Sequence, residues 1–294
     1  MSVPESDYLS PVWRDGIFKD RVVFVTGGAG TICSMQTRAL VRLGANACII
    51  GRNVEKTEAA AKDIQTARPG SKVIGIGGCD VRKPESLKDA ADSAGAAGNF
   101  VAPLEGMSPN AFKAVIDIDV LGTFNTIKAT IPHLLRSSTP RIIFVSATFH
   151  YTGMPLQAHV SAAKAAVDSL NASVALEYGP RGVVSNVIAP GGIEATEGLA
   201  RLGSNEPAEK EKYVKGIPSG RLGTVRDIAD TTVFLFSEAG TYINGQVIPV
   251  DGAAWRRQGD IRLGIDGSVR YPDFLLTGEI SQNLRDPRKG KAKL

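Results

Sequence analysis

The chain has 294 residues, 43% of them hydrophobic and 22% charged, with a formal net charge of +4. That composition supplies a full globular core and excludes a disordered or collagen-like polymer; the small positive excess makes no case for nucleic acid and would equally suit a phosphate-bearing small ligand. Cys33, Cys48 and Cys79 form neither an even disulfide set nor a metal-ligand spacing, and no run of uncharged apolar residues is long enough for a membrane span, so a soluble protein of a reducing compartment without a metal centre is expected.

In chain order, residues 21–26 (RVVFVT) form a short β-branched run that flows into Gly27-Gly28-Ala29-Gly30 and then into a helical pattern ending near Gly44. A strand, a glycine turn and a helix N-terminus make a phosphate cradle, because the glycines let backbone approach a pyrophosphate that the free N–H groups and the helix dipole then hold. The next strand, 47–51, ends at Arg52-Asn53 instead of an acidic residue. An Asp or Glu there would bind a ribose 2′-hydroxyl, whereas Arg52 can pair with a 2′-phosphate, so NADPH is favoured over NADH. A helix over 54–67 and a strand over 72–77 follow, and then Asp80, placed either to bond an adenine amino group or to cap the helix starting near Pro84.

Here the alternation breaks. After residues 85–92 the chain passes directly into Ser93-Ala94-Gly95-Ala96-Ala97-Gly98-Asn99, with no apolar run to make a fourth strand. A crossover needs about 10 to 12 residues before its strand is counted, so roughly a dozen residues are missing from the pattern. From Ser108-Pro109 a well-capped helix runs towards Arg136 and carries two carboxylates, Asp117 and Asp119; residue pattern alone leaves both readable as solvated, with Asp119 in the more apolar part. Gly122 within that helix costs stability unless something must approach it closely.

Residues 141–145 (RIIFV) form the next strand and lead through Ser146-Ala147 to a helix over 158–178, whose apolar residues recur at three and four and which bears Lys164. A strand over 183–188 ends in Ala189-Pro190-Gly191-Gly192-Ile193-Glu194-Ala195-Thr196, the kind of loop on which open α/β sheets bind ligands. Residues 197–216 read as a mobile lid, 225–236 as a helix and 246–250 as a last strand; beyond Trp255 a polar tail ends in Ala292-Lys293-Leu294, similar to the Ser-Lys-Leu peroxisomal address. The fold class is therefore α/β, one doubly wound parallel sheet of the Rossmann type with its fourth strand absent, in a single domain with a core over 18–252 and a tail over 253–294.

The segments TGGAGTIC (26–33), AGAAGNF (94–100), NAFKAVIDIDVLGTFNT (110–126), FVSATFHY (144–151), EGLARL (197–202) and PGGIEAT (190–196) resemble the short-chain dehydrogenase/reductase superfamily, and within it most closely the fungal peroxisomal 2,4-dienoyl-CoA reductases. The resemblance implies NADPH held by Thr26, Gly27, Gly28, Thr31, Ile32, Arg52, Asp80, Ala96, Lys164, Pro190, Gly191, Ile193 and Thr196, and an acyl-CoA site lined by Asn99, Phe100, Ser146 and His159. Most members reduce carbonyls with a tyrosine four residues before the lysine and a serine one strand-loop earlier; those positions here are Val160 and Ala147, neither of which can give a proton. The subfamily instead places a carboxylate where other members carry asparagine, which makes Asp119 and Lys164 the implied catalytic pair, holding the water that protonates the α-carbon of a dienoyl thioester. It also implies a homo-oligomer and, through Ala292-Lys293-Leu294, a peroxisomal import receptor as partner. The alternative is a cofactor-binding relic or partner subunit, impaired by the deletion near Asp92–Gly95.

Overall fold

In the computed structural model, residues 3–85, 103–196, 199–200 and 207–257 are described. The helix expected over 85–92, the loop over 94–99 with Ala96, Asn99 and Phe100, most of the lid before residue 207, and the tail with Ala292-Lys293-Leu294 lie outside them.

The first half is a wound α/β unit. Strand β1 (Val22–Thr26) is followed by helix α1 (Thr31–Arg42), β2 (Asn46–Ile50), helix α2 (Val54–Gln65) and β3 (Val73–Ile76). All three strands are parallel, in the order β1-β2-β3, with Val22 opposite Asn46 and Ala47 opposite Val73. Apolar residues on both faces of β2 let it be covered twice: Ala47 and Ile49 pack with Val41, Ala61, Ile64 and Val73, and Ile50 packs with Cys79 and Val81. Asn53 starts α2 by accepting the Lys56 N–H at 2.7 Å.

The second half begins with α3 (Pro109–Ile116), capped by Ser108, and runs without interruption through a π-helical turn (Asp117–Leu121) into α4 (Gly122–Leu134). Strand β4 (Arg141–Val145), α5 (Ala158–Tyr178), β5 (Val184–Pro190), α6 (Pro207–Lys215), α7 (Val225–Phe236) and β6 (Val247–Val250) complete it. Its strands are again parallel, in the order β4-β5-β6. Among the described residues no strand lies between β1 and β4, so the expected single sheet is two three-stranded halves. The parallel α/β class is as expected; the expected absence of a fourth strand falls on residues 86–102, which lie outside the described residues.

The sequence pattern missed the N-terminal segment. Tyr8, Leu9 and Phe18 are buried against Ala39 and Leu40 of α1, its C-cap Leu43, and Ala229 and Val233 of α7. Asp230 of α7 accepts from Ser10 N–H at 2.9 Å and from the Trp13 indole at 2.7 Å, tying this segment down. Isolated apolar residues without periodicity carry no local signal, and only the α1–α7 groove explains their burial.

Helix α7 carries a full capping box, Thr224 with Asp227, and Arg221 donates to both carboxylate oxygens of Asp227 at 2.8 and 2.9 Å. The Arg221 guanidinium, aided by Thr224, holds the Asp227 carboxyl down at about 2 from a usual 3.8. Because the folded value is depressed, the stabilisation is complete above about 3.8 and is lost as pH falls through about 2. Asp227→Asn should therefore lower the thermal midpoint at neutral pH, with the difference from wild type narrowing as the pH approaches 2 in a pH series of melting curves. A constant difference across that window would show that the carboxylate charge contributes nothing.

Candidate active site

Gly27 takes a positive φ of 59° between β1 and α1, and Gly28 N–H donates to the Ile50 carbonyl at 3.3 Å, which folds the turn back over β2. A Cβ on Gly28 would stand 2.5 Å from the Cβ of Ile49, so no larger residue fits without moving β2. Helix α1 opens at Thr31 with Gly30 as its N-cap and no side-chain cap, leaving its first N–H groups for a ligand. The residues present thus fit a dinucleotide pyrophosphate. Gly28→Ala should both weaken dinucleotide binding and lower the melting temperature, read by dye fluorescence with and without cofactor; binding at wild-type strength would show that the turn is not a cradle.

This turn opens on a cavity of about 2210 Å³ lined by Thr26, Gly27, Thr31, Ile32, Arg52, Asp119, Lys164 and Thr196 among others. Eight of the residues expected at the site therefore share one space. Gly28, Pro190, Gly191 and Ile193 are not among its lining residues; Gly191 N–H donates to Val250 O at 3.0 Å and Ile193 is buried beside Gly223. Pro190 ends β5. Asp80 is drawn into an ion pair with Arg82, which with Arg52 nearby holds its carboxyl down at about 2. The sequence reading did not weigh Arg82, although its position two residues after Asp80 is the signal. Ser146 is buried and its hydroxyl has no hydrogen-bond partner; His159 is wholly buried at the start of α5, away from the cavity wall.

The centre of the site is the pair Asp119 and Lys164. Lys164 Nζ lies 3.0 Å from Asp119 Oδ2, the carboxylate side chain being 2% exposed and the lysine 16%. Lys164 Nζ also donates to the Val145 carbonyl at 3.4 Å. The π turn explains which of the two helix carboxylates faces inward: Gly122 N–H reaches Asp117 O, a five-residue closure that inserts one extra residue per turn and resets the helix face. Asp119 is turned into the cavity, while Asp117 stays half-exposed in an ion pair with Lys113 one turn back. Gly122 is required because a Cβ there would stand 2.6 Å from Val81 Cγ2, and Asn125 on the next turn donates to Val81 O at 3.0 Å. Val81, just after β3, thereby locks the π turn in place.

The position four residues before Lys164 is closed to acid–base chemistry. Val160 is buried with Val115 and Ala163, against Ile116, Val120 and Phe149. Ala147 is buried as well, and its carbonyl accepts from His150 Nδ1 at 2.6 Å. Burial pushes the Cys33 thiol up, with the Lys164 charge partly opposing, which leaves Cys33 a poor nucleophile beside the site.

A parallel sheet interrupted at its centre, a glycine turn on a helix N-terminus and a lysine-bearing helix beyond the fourth described strand define a protein of the doubly wound, dinucleotide-binding α/β class. The family model described as enoyl-(acyl carrier protein) reductase matches residues 27–253. The chain belongs to that short-chain dehydrogenase/reductase family. It is 51% identical to the peroxisomal 2,4-dienoyl-CoA reductase, (3E)-enoyl-CoA-producing, of Saccharomyces cerevisiae, with 92% of this chain and 94% of the relative covered. It is 38% identical to the enzyme of the same description from Danio rerio, covering 83% of this chain and 84% of the relative. Among solved structures, a short-chain dehydrogenase/reductase from Mycobacterium ulcerans superposes with a TM-score of 0.76 at 26% identity, over 85% of this chain and 98% of that one. A gluconate 5-dehydrogenase from Burkholderia cenocepacia, in complex with NADP and tartrate, superposes with a TM-score of 0.73 at 26% identity, over 82% and 97%.

Proposed function

We propose that this chain catalyses the reduction of 2,4-dienoyl-CoA to 3-enoyl-CoA, with Asp119 and Lys164 as its catalytic pair, in the peroxisomal oxidation of unsaturated fatty acids. The observation that carries the reading is the buried Asp119–Lys164 contact at 3.0 Å beside an apolar Val160. The relatives are named for this reaction and compartment, and the chain aligns with them over nearly its whole length.

A bound reduced nicotinamide supplies a hydride to the δ-carbon of the conjugated thioester, and the electron pair moves through the diene onto the thioester oxygen. The chain must then provide one proton, to the α-carbon. Asp119, buried and facing the cavity, can hold a water there and pass it a proton; Lys164 holds Asp119 in position and is a cation near the developing negative charge. Protonation at the α-carbon leaves the remaining double bond between the β- and γ-carbons, so hydride and proton together account for the 3-enoyl product. A carbonyl substrate would need its proton at oxygen from the tyrosine position, which Val160 cannot supply.

Arg52 favours NADPH as the donor. It lines the cavity immediately after β2, where a 2′-phosphate would sit, with Lys56 of α2 as a second cation on the same lining, while Asp80 is paired with Arg82. Arg52→Ala should weaken NADPH binding roughly tenfold, the worth of one charge-assisted contact, and leave NADH binding unchanged in fluorescence titrations. Equal weakening for both would place Arg52 outside the phosphate site.

The direct experiment follows NADPH absorbance with 2,4-hexadienoyl-CoA and purified full-length chain, with the product double bond located by mass spectrometry. Oxidation of NADPH with a 3-enoyl product is expected. A second reading, a cofactor-binding relic, has one observation in its favour, the interrupted sheet; NADPH binding without turnover would select it.

A further inference from the structure

The segment that follows β4 is tied to α5 at a second place, away from Asp119. His150 stands in the single 3-10 turn Phe149–Tyr151. Its Nδ1 lies 2.6 Å from the Ala147 carbonyl oxygen and its Nε2 2.9 Å from Asp168 Oδ2. Both partners are largely buried, the imidazole being 6% exposed and the carboxylate 13%. The Tyr151 hydroxyl donates to the same Oδ2 at 2.9 Å. Burial, and after it the Asp168 carboxylate, push the Tyr151 phenol well above its ordinary range, so it stays a donor. None of the three side chains enters the reaction as derived above, and none lines the catalytic cavity.

The Ala147 carbonyl can only accept, so Nδ1 carries a hydrogen towards it, and the Nε2–Oδ2 contact holds a further proton between ring and carboxylate. His150 thus spans two acceptors and cannot turn without losing both. Asp168 sits one helical turn beyond Lys164 on the same face of α5. A closed ring results: Lys164 Nζ donates to Val145 O at 3.4 Å, the chain continues through Ser146 to Ala147, His150 joins Ala147 O to Asp168, and α5 leads back to Lys164. The β4 side of the ring is held to β5, Ser146 N–H donating to Ile188 O at 2.8 Å and Thr148 N–H to Pro190 O at 3.2 Å. Bond lengths identify the limb that sets the spacing. The Lys164–Val145 contact is at the long, weak end of N–H···O bonds, whereas those of His150 are short and one of them engages a carboxylate, the stronger kind. Ala147 and Val160 are apolar, so the positions where carbonyl-reducing members carry two hydroxyls offer no side-chain hydrogen bond between β4 and α5.

We propose that His150 and Asp168 are positioning residues of this site: they fix α5 against the end of β4 at the spacing that keeps Lys164 within reach of both Asp119 and the Val145 carbonyl. The inference rests on the reading of Asp119 and Lys164 as the catalytic pair. A lysine reaches its partners on a flexible four-carbon stem, so its aim depends on where the helix backbone stands. A misplacement of about 1 Å in a catalytic group is enough to cost roughly 10²-fold in rate. The loss should fall on the delivery of the proton, which Asp119 and Lys164 manage, and spare the binding of the cofactor at the turn after β1.

Three variants of the full chain test this. His150→Phe keeps a ring and removes both contacts, Asp168→Leu removes the anchor on α5, and Asp168→Asn keeps it, because an amide can donate to Nε2 or accept from it. The first two should lower kcat roughly 10²-fold, change KM for 2,4-hexadienoyl-CoA and for NADPH by less than about threefold, and enlarge the solvent deuterium isotope effect on kcat. Asp168→Asn should recover most of the rate. Partial unfolding alone would lower the rate in proportion to folded protein and leave the isotope effect unchanged, and melting curves report it. Lys164 is also read without turnover, by reductive methylation with formaldehyde and cyanoborohydride followed by mass spectrometry. In His150→Phe and Asp168→Leu it should label at least about threefold faster, as a local opening would allow, with Lys72 before β3 at its wild-type rate. Should His150→Phe not fold, His150→Gln, which keeps the Asp168 contact and drops the one to Ala147, is read in the same way. Wild-type labelling of Lys164 in both variants would overturn the proposal, as would a rate lost through KM, or Asp168→Asn no better than Asp168→Leu. If the wild type itself shows no turnover, the reductase reading fails, and the labelling still decides whether the ring holds Lys164.

Discussion

Replacing Asp119 with asparagine is expected to lower the turnover of dienoyl-CoA by about 10²–10⁴-fold, the range of a general acid's contribution, while NADPH binding stays close to wild type. Asparagine keeps the shape and the position on the π turn, so Val81 still closes on Gly122 and the cavity wall is unchanged. Either replacement takes the counter-charge away from Lys164; Asp119→Ala should abolish turnover too, but it also leaves a cavity where asparagine keeps the packing, and the loss would then mix chemistry with a larger loss of stability. Steady-state NADPH oxidation alongside a cofactor fluorescence titration separates the two. Turnover at the wild-type rate in the asparagine variant would remove Asp119 from the mechanism.

Among the described residues no strand lies between β1 and β4, and supplying one by insertion should have a comparably large effect on stability. An insertion between Asp92 and Gly95 of a helical crossover and five apolar residues, led by an acid, would place a strand between β1 and β4. With roughly five net hydrogen bonds at about 1 kcal/mol each, the gain of about 5 kcal/mol corresponds to a rise of ~10–20 °C in melting temperature for a domain of this size. The same insertion would tether β4, and with it Lys164 through the Val145 carbonyl, to the turn at Gly27. Turnover should rise together with stability. An unchanged melting temperature would mean that the two half-sheets are already joined in solution.

The relation between the two predictions lies in the architecture. Asp119 is fixed from the first half of the chain, through Val81 on Gly122, whereas Lys164 is fixed from the second half by α5 on β5. Their contact at 3.0 Å lies within the second half, between the π turn and α5, whereas Val81 on Gly122 and Arg21 on Ser138 are contacts from the first half to the second.

Much of this was legible in the sequence, for identifiable reasons. The glycine turn, the β-branched strands and the absence of an acid after β2 are local signals. The excluded carbonyl mechanism was also legible, since a valine cannot donate a proton wherever it sits. Tertiary structure alone decided the rest. Asp119 stands in the more apolar part of its helix and the resemblance singles it out, but residue pattern leaves both carboxylates readable as solvated; the π turn, with Val81 close to Gly122, is what turns Asp119 inward and leaves Asp117 outside. Tyr8 and Leu9 have no periodicity, yet the groove between α1 and α7 buries them. Asp80 reads from sequence as an adenine contact or a helix cap, and its ion pair with Arg82 is visible only in the fold. Sequence determined which elements form and which chemistry is unavailable, because those depend on residue type and short spacing; contacts between residues far apart decided which carboxylate is buried against Lys164.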